Sequence, residues 1–160
     1  MADRPAVLFV CLGNICRSPL AQAALAAEAE RLGLDVEIDS AGTGDWHVGN
    51  PPDSRAQVVS KRNGVDISHY AARQVRPEDF HHFTHIIALD RENLANLERL
   101  RPADGTAKLS LLLDHVKGRG GEAVADPYYG GAEGFETTWA DVTAGAQALA
   151  QSLTKTGRTP

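Results

Sequence analysis

The opening of this chain constrains its fold more than any other stretch. Ala6–Val10 (AVLFV) is a short apolar run that passes through Cys11 and a Gly13-Asn14 turn into a stretch of helix formers, Leu20 to Leu32. A run with no polar alternation reads as a parallel strand buried on both faces. Ser18-Pro19 supplies a cap residue and a proline suited to the first helical turn, and Gly33 ends the helix. A strand that feeds a helix directly is half of a strand–helix–strand unit, in which the helix carries the chain back to start the next parallel strand.

The alternation continues along the chain. Val36–Ser40 predicts a second strand, and Ala41–Pro52, punctuated by Gly and Pro, a loop. A helix is expected over Asp53–Arg62, closing at Gly64, and a short helical piece over Pro77–Phe83. Thr84–Leu89 reads as a third strand, Arg91–Leu100 as a helix stopped before Pro102, and Lys108–Leu113 as a fourth strand. Lys117–Gly121 reads as a flexible loop, Asp126–Gly131 as a turn, and Glu133–Leu153 carries helical spacing. This order predicts a parallel α/β sheet in one domain spanning residues 1–160, with its site outside the carboxyl ends of the strands. Cys11 then stands at that site.

Charge and length narrow the function. With 16 Lys+Arg against 21 Asp+Glu the net charge is −5, which argues against whole-surface binding to nucleic acid or anionic lipid but allows a local basic pocket. The longest charge-free runs, residues 5–16 and 142–154, are 12 and 13 residues, short of a membrane span. Asp3 and Arg4 precede an apolar stretch too short for a signal peptide, so a cytoplasmic protein is expected. Two cysteines, Cys11 and Cys16, are too few for a disulfide scaffold and fit a reducing compartment.

The segment Cys11-Leu12-Gly13-Asn14-Ile15-Cys16-Arg17-Ser18 joins strand end to helix start. Its Gly and Asn let the backbone curl with amide hydrogens inward, and the helix dipole adds positive potential, so the loop suits a phosphate-like anion and favours a thiolate at Cys11. Arg17 closes the ring with a guanidinium fork for two phosphoryl oxygens, and Ser18 can donate to the cysteine sulfur. A buried strand-end cysteine beside a solvated arginine is the plainer alternative, but it does not explain why curled loop, arginine, hydroxyl and helix start coincide. Asp126, in a turn stiffened by Pro127 and followed by Tyr128 and Tyr129, is a candidate proton donor with an aromatic wall beside it; read alone, an Asp-Pro is more commonly an ordinary turn.

VLFVCLGNICRSP resembles the phosphate-binding loop of the low-molecular-weight protein tyrosine phosphatases, C-x5-R-[ST]. The resemblance extends to Ser40-Ala-Gly-Thr43, Gly49-Asn-Pro-Pro-Asp53, Ser68-His69 with Arg73-Gln-Val75, Asp90 with Asn93, and Asp126-Pro-Tyr-Tyr-Gly130. It implies a three-layer sandwich around a four-stranded parallel sheet of flavodoxin-like topology. It also implies phosphotyrosine hydrolysis through a phosphocysteine on Cys11, with Arg17 holding the phosphoryl group, Asp126 as general acid and base, and no metal or cofactor. Leu12, Gly13, Asn14, Ile15, Cys16 and Ser18 would bind the phosphate with Trp46, Tyr128 and Tyr129 around the substrate, and Ser40 and His69 would support the loop. The expected partner is a phosphotyrosine-containing protein, with no nucleic acid or membrane, and the chain would be a monomer or weak dimer.

Other residues carry weaker signals. Trp46 is either at the rim of the cleft or a partly buried anchor, and Trp139 reads as core. Relatives with Ile at the position of Ile15 resemble tyrosine phosphatases, whereas a related group with Thr acts on phosphoarginine, so phosphotyrosine is expected. Cys16 is either a small apolar loop residue or, as the resemblance implies, a reversible disulfide partner that shields Cys11 from oxidation. Arsenate reductases of the same fold need further cysteines than these two. His81, His82 and His85 lack partners that would complete a metal site and read as surface chemistry. The competing class is a loop that binds phosphate without turnover, an anion-binding or redox-sensing module.

Overall fold

The computed structural model describes residues 4–157. Its elements are β1 (Ala6–Cys11), α1 (Arg17–Leu32), β2 (Glu37–Gly42), α2 (Ser54–Arg62), α3 (Asp79–His82), β3 (His85–Ala88), α4 (Arg91–Leu100), β4 (Lys108–Leu111), a 3-10 turn (Leu112–His115) and α5 (Ala132–Gly157). The four strands form one parallel sheet in the order β2-β1-β3-β4. β1 is therefore central: Phe9 lies opposite Ser40 on one side and Ile87 on the other.

The apolar run of β1 has the burial its composition predicts, since every residue from Ala6 to Cys11 is buried. Val7, Phe9 and Cys11 pack on one face with α1, α2 and α5, while Ala6, Leu8 and Val10 pack on the other with Phe80 and Phe83 around α3 and Leu97 of α4. Two helical layers thus enclose the sheet. Phe9, Leu20 and Leu25 are fully buried, where truncation to alanine typically costs roughly 2–5 kcal/mol. Trp139 is partly buried against the α1/α5 side. Among the described residues no helix is long and apolar enough to cross a membrane.

Of the boundaries that differ from the sequence expectation, three have a clear physical reason. α1 starts at Arg17, so Ser18 and Pro19 sit in its first turn; the cap position belongs to Cys16, without a side-chain cap, and the Ser18 hydroxyl is spent elsewhere. β2 runs on to Gly42, because Ala41 and Gly42 still pair with Val10 and Cys11. β4 stops at Leu111, where Asp114 accepts from the Leu111 and Gly121 amides and turns the chain into the 3-10 segment. Two helices carry side-chain caps that the sequence reading did not assign: Asp53 accepts from the Arg55 amide ahead of α2, and Asp90 accepts from the Asn93 amide ahead of α4.

Two half-buried histidines lie in and just after the sheet, His85 on β3 and His115 at the end of the 3-10 segment. His85 on β3 contacts the Thr84 hydroxyl at 2.9 Å, and His115 contacts the Ser110 hydroxyl at 2.9 Å. Burial pushes both imidazoles below their ordinary 6.5, with Lys108 and His115 adding to the effect at His85. The unfolded chain therefore binds these protons more readily than the folded one, so stability is complete above about 6.5 and declines as pH falls below it. Asp53 and Asp66, held below 3.8, act only at lower pH. Thermal unfolding from pH 8 downward should give a constant Tm to about pH 7 and a fall between about pH 6.5 and 5. Replacing His115 with Gln should reduce that slope.

Candidate active site

The segment after β1 curls because Asn14 adopts a left-handed backbone, φ 58°, a conformation that Asn tolerates better than most residues. The loop's carbonyls turn away: those of Cys11, Leu12 and Ile15 accept from the amides of Thr43, Gly44 and Asp53. The amides of Gly13, Asn14, Ile15 and Cys16 donate to no protein acceptor among the described residues, as a loop built to receive an anion requires. Gly42 lets this strand approach the loop, since a Cβ there would come within 2.7 Å of the Leu12 carbonyl oxygen.

A buried chain of side chains holds the curl. The Arg73 amide can only donate, so it fixes Asn14 Oδ1 toward itself at 3.0 Å and turns Asn14 Nδ2 toward Ser18 Oγ (2.8 Å) and Ser40 Oγ (3.0 Å). Ser40 in turn donates to Gln22 Oε1 at 2.6 Å. Ser18 Oγ, which accepts from Asn14, lies 3.0 Å from Cys11 Sγ and can donate its proton there.

Arg17 is buried, and its Nη1 donates to Asp90 Oδ2 at 2.6 Å and to the Val124 carbonyl at 3.0 Å. Nη2 faces Asp126 Oδ2 at 3.7 Å. Burial opposes the guanidinium charge, but a Cys11 thiolate, Asp90 and Asp126 outweigh it and hold Arg17 above its ordinary value. The two cysteines are thereby distinguished. Burial, with Asp53, Cys11 and Asp126 adding to it, pushes the Cys16 thiol far above the usual cysteine range. Cys16 stays a protonated thiol, and Cys11 is the sulfur that faces Arg17 and Ser18. Both are free.

One cavity of about 440 Å³ collects these groups: Cys11, Leu12, Gly13, Ile15, Cys16, Arg17, Trp46, His47, Asp126, Tyr128 and Tyr129 line it. Trp46 is 68% exposed, which places it at the rim rather than as an anchor, and its ring lies over Gly44, where any Cβ would collide with it. Tyr128 and Tyr129 meet edge to face at 4.9 Å on the opposite wall. Asp126 is 43% exposed and accepts from the Tyr128 amide at 3.0 Å.

Asn14, Ser18 and Ser40 sit behind the cavity, buried, rather than in it. His69 is not brought to them; it is exposed and stacks edge-on against Tyr70, and the hydrogen bonds around Asn14 run through Arg73 and Gln22 instead. His47 lines the cavity and was missed, there being no signal beyond its place beside Trp46. His81, His82 and His85 go to separate partners, Asp104, Glu37 and Thr84.

A profile of the low molecular weight phosphotyrosine protein phosphatases matches residues 6–159. The chain belongs to that family. A relative described as a low molecular weight phosphotyrosine protein phosphatase from Schizosaccharomyces pombe is 48% identical over 132 residues, 81% of this chain and 84% of the relative. The crystal structure of YfkJ from Bacillus subtilis superposes with a TM-score of 0.90 at 38% identity, covering 98% of this chain and 99% of that one. A Drosophila arginine phosphatase, DARP, superposes with a TM-score of 0.86 at 33% identity, covering 91% and 96%. In this member of the family the four-stranded parallel sheet and flanking helices match the fold expected from the sequence.

The Asn14 side chain should be separable from its backbone. Asn14→Gly keeps the left-handed conformation and removes three hydrogen bonds, whereas Asn14→Ala removes both and should be about 1 kcal/mol less stable than the glycine variant. Both should bind inorganic phosphate roughly 10-fold more weakly by calorimetry, equivalent to about 1.4 kcal/mol. Parent-like phosphate affinity in Asn14→Gly would show that the side-chain network is dispensable.

Proposed function

We propose that this chain hydrolyses phosphotyrosine on cytoplasmic proteins through a phosphocysteine on Cys11, with Asp126 as acid and then base. The observation that carries this reading is the convergence of the Cys11 sulfur, the Arg17 guanidinium and the Asp126 carboxyl group on one cavity rimmed by aromatic side chains.

The steps follow from the groups in place. The phosphoryl group enters over the loop amides and the free edge of Arg17, displacing the Arg17–Asp126 contact. Cys11 thiolate attacks phosphorus in line; the S–P bond forms as the P–O bond to tyrosine breaks, and Asp126 gives its proton to the departing phenolate oxygen. A water molecule then attacks phosphorus while Asp126 takes its proton, the S–P bond breaks, inorganic phosphate leaves, and the thiolate returns. Ser18 and the helix start stabilise the sulfur as attacking and leaving group. Arg17, pinned through Nη1, keeps Nη2 for the equatorial oxygens as charge builds.

Ile15 favours phosphotyrosine over the phosphoarginine of the Drosophila relative. It is an apolar, half-buried side chain in the cavity wall, suited to an aryl ring and offering no partner to a guanidinium.

Hydrolysis of para-nitrophenyl phosphate and a phosphotyrosine peptide, with a chelator present, tests the reading. Cys11→Ser should abolish activity, and Asp126→Ala should lower kcat/KM for the peptide by about 10²–10³. No turnover by the reduced parent would leave a phosphate-binding module, and faster hydrolysis of phosphoarginine than of the phosphotyrosine peptide would reassign the substrate.

A further inference from the structure

The segment carrying Asp126 has few attachments to the rest of the protein. Within it the Tyr128 amide donates to Asp126 Oδ1 and the Gly130 amide to the Pro127 carbonyl, both local turns. Among the described residues only two side chains reach residues 126–131 with polar groups from elsewhere in the chain: Arg17, at 3.7 Å from Asp126, and Arg55. Arg55 makes the closer contacts. Its Nη1 donates to the Gly130 carbonyl at 3.0 Å and its Nη2 to the Tyr128 carbonyl at 2.9 Å, while its guanidinium carbon lies 4.6 Å from the ring centre of buried Phe135.

The other edge of Arg55 is tied to the anion loop. Nε and Nη2 grip both oxygens of Asp53 at 3.0 Å each, and the Asp53 amide donates to the Ile15 carbonyl at 2.8 Å. Two residues therefore span the distance from the loop that holds the phosphate to the loop that holds the acid. A lysine cannot do this: its ammonium is a single point, whereas the planar fork addresses two carbonyls and a carboxylate together.

We propose that Arg55 is a positioning residue for the general acid, fixing the Asp126 loop relative to the Cys11 loop through Asp53. This rests on the assignment of Asp126 as the acid. The arrangement matters most with substrate bound, because the phosphoryl group then competes for the edge of Arg17 that faces Asp126 and leaves Arg55 as the attachment. An acid displaced by a fraction of an ångström still lies in the cavity but protonates the leaving oxygen poorly.

The test uses the leaving group, since a proton donor matters for a basic phenolate and little for an acidic one. kcat/KM reports the steps through P–O cleavage, so it should be measured for phenyl phosphate, para-nitrophenyl phosphate and 2,4-dinitrophenyl phosphate with the parent, Arg55→Lys, Arg55→Ala, Asp126→Asn and the Arg55→Lys/Asp126→Asn double variant. Arg55→Lys should lose about 10-fold on phenyl phosphate and no more than about 2-fold on the dinitrophenyl ester. In the Asp126→Asn background it should cost nothing further on either ester, and inhibition by inorganic phosphate should be unchanged in Arg55→Lys. Equal losses across the esters, a full additional loss in the double variant, or parent-like rates in both Arg55 variants would overturn the proposal. A flat response of Asp126→Asn itself across the three esters would instead show that Asp126 is not the acid, and Arg55 would have no acid to position.

Discussion

Making backbone amides converge on an anion requires one residue of the loop to take a conformation that L-amino acids avoid, and something must hold it there. Asn14 does both. Its left-handed backbone turns the chain, and its amide side chain, oriented by the Arg73 N–H, ties the turn to Ser18 and Ser40. Ser18 lies within hydrogen-bond reach of the Cys11 sulfur, so a backbone amide on a segment distant in sequence shapes the surroundings of that sulfur. Ser40 lies on β2 and Gln22 on α1, so the network bridges the sheet and the helix it feeds.

Electrostatic differentiation follows from the same frame. Cys11 and Cys16 are both buried, yet one faces a guanidinium and a hydroxyl and the other faces Asp53. Burial and the Asp53 carboxylate oppose a thiolate at Cys16, whereas Cys11 has the Ser18 hydroxyl beside it. Asp90 illustrates the economy of the frame: one carboxylate oxygen caps α4 and the other holds Arg17, so the helix start and the cavity-lining guanidinium share an anchor.

Local chemistry was readable in the sequence where a residue acts through its neighbours in the chain. The apolar run of β1, the end of α1 at Gly33 and the Cys-to-Arg spacing are all of that kind. Ser18 misled because Ser-Pro before a helix is a cap signature, while tertiary hydrogen bonds recruited its hydroxyl. β4 was read too long because Leu112 and Leu113 are apolar enough for a strand, although the Asp114 side chain turns the backbone there. His69, His47 and Arg55 depend on which loops meet across the sheet edge, and neither spacing nor composition carries that. Asp53 was noticed as part of a motif, but the reach of its neighbour Arg55 to the Tyr128 and Gly130 carbonyls appears only when α2 and the segment before α5 are seen together.

The central position of β1 has a consequence for how the molecule comes into being. β1, which leads into the loop, is flanked by β2 and β3, both downstream of it, and one of its faces is covered by α5, far along the polypeptide. Parallel pairing and a late-arriving helix place the core's contacts far apart along the polypeptide, a topology that folds slowly and leaves apolar strands exposed during synthesis. The loop amides cannot converge until β2 and the segment around Arg73 are in place, and the cover over Phe9 and Cys11 is complete only once α5 docks. Until those distant segments meet, Cys11 and Cys16 are two similar thiols in an unformed loop, and the surroundings that tell them apart arise only with the assembled fold.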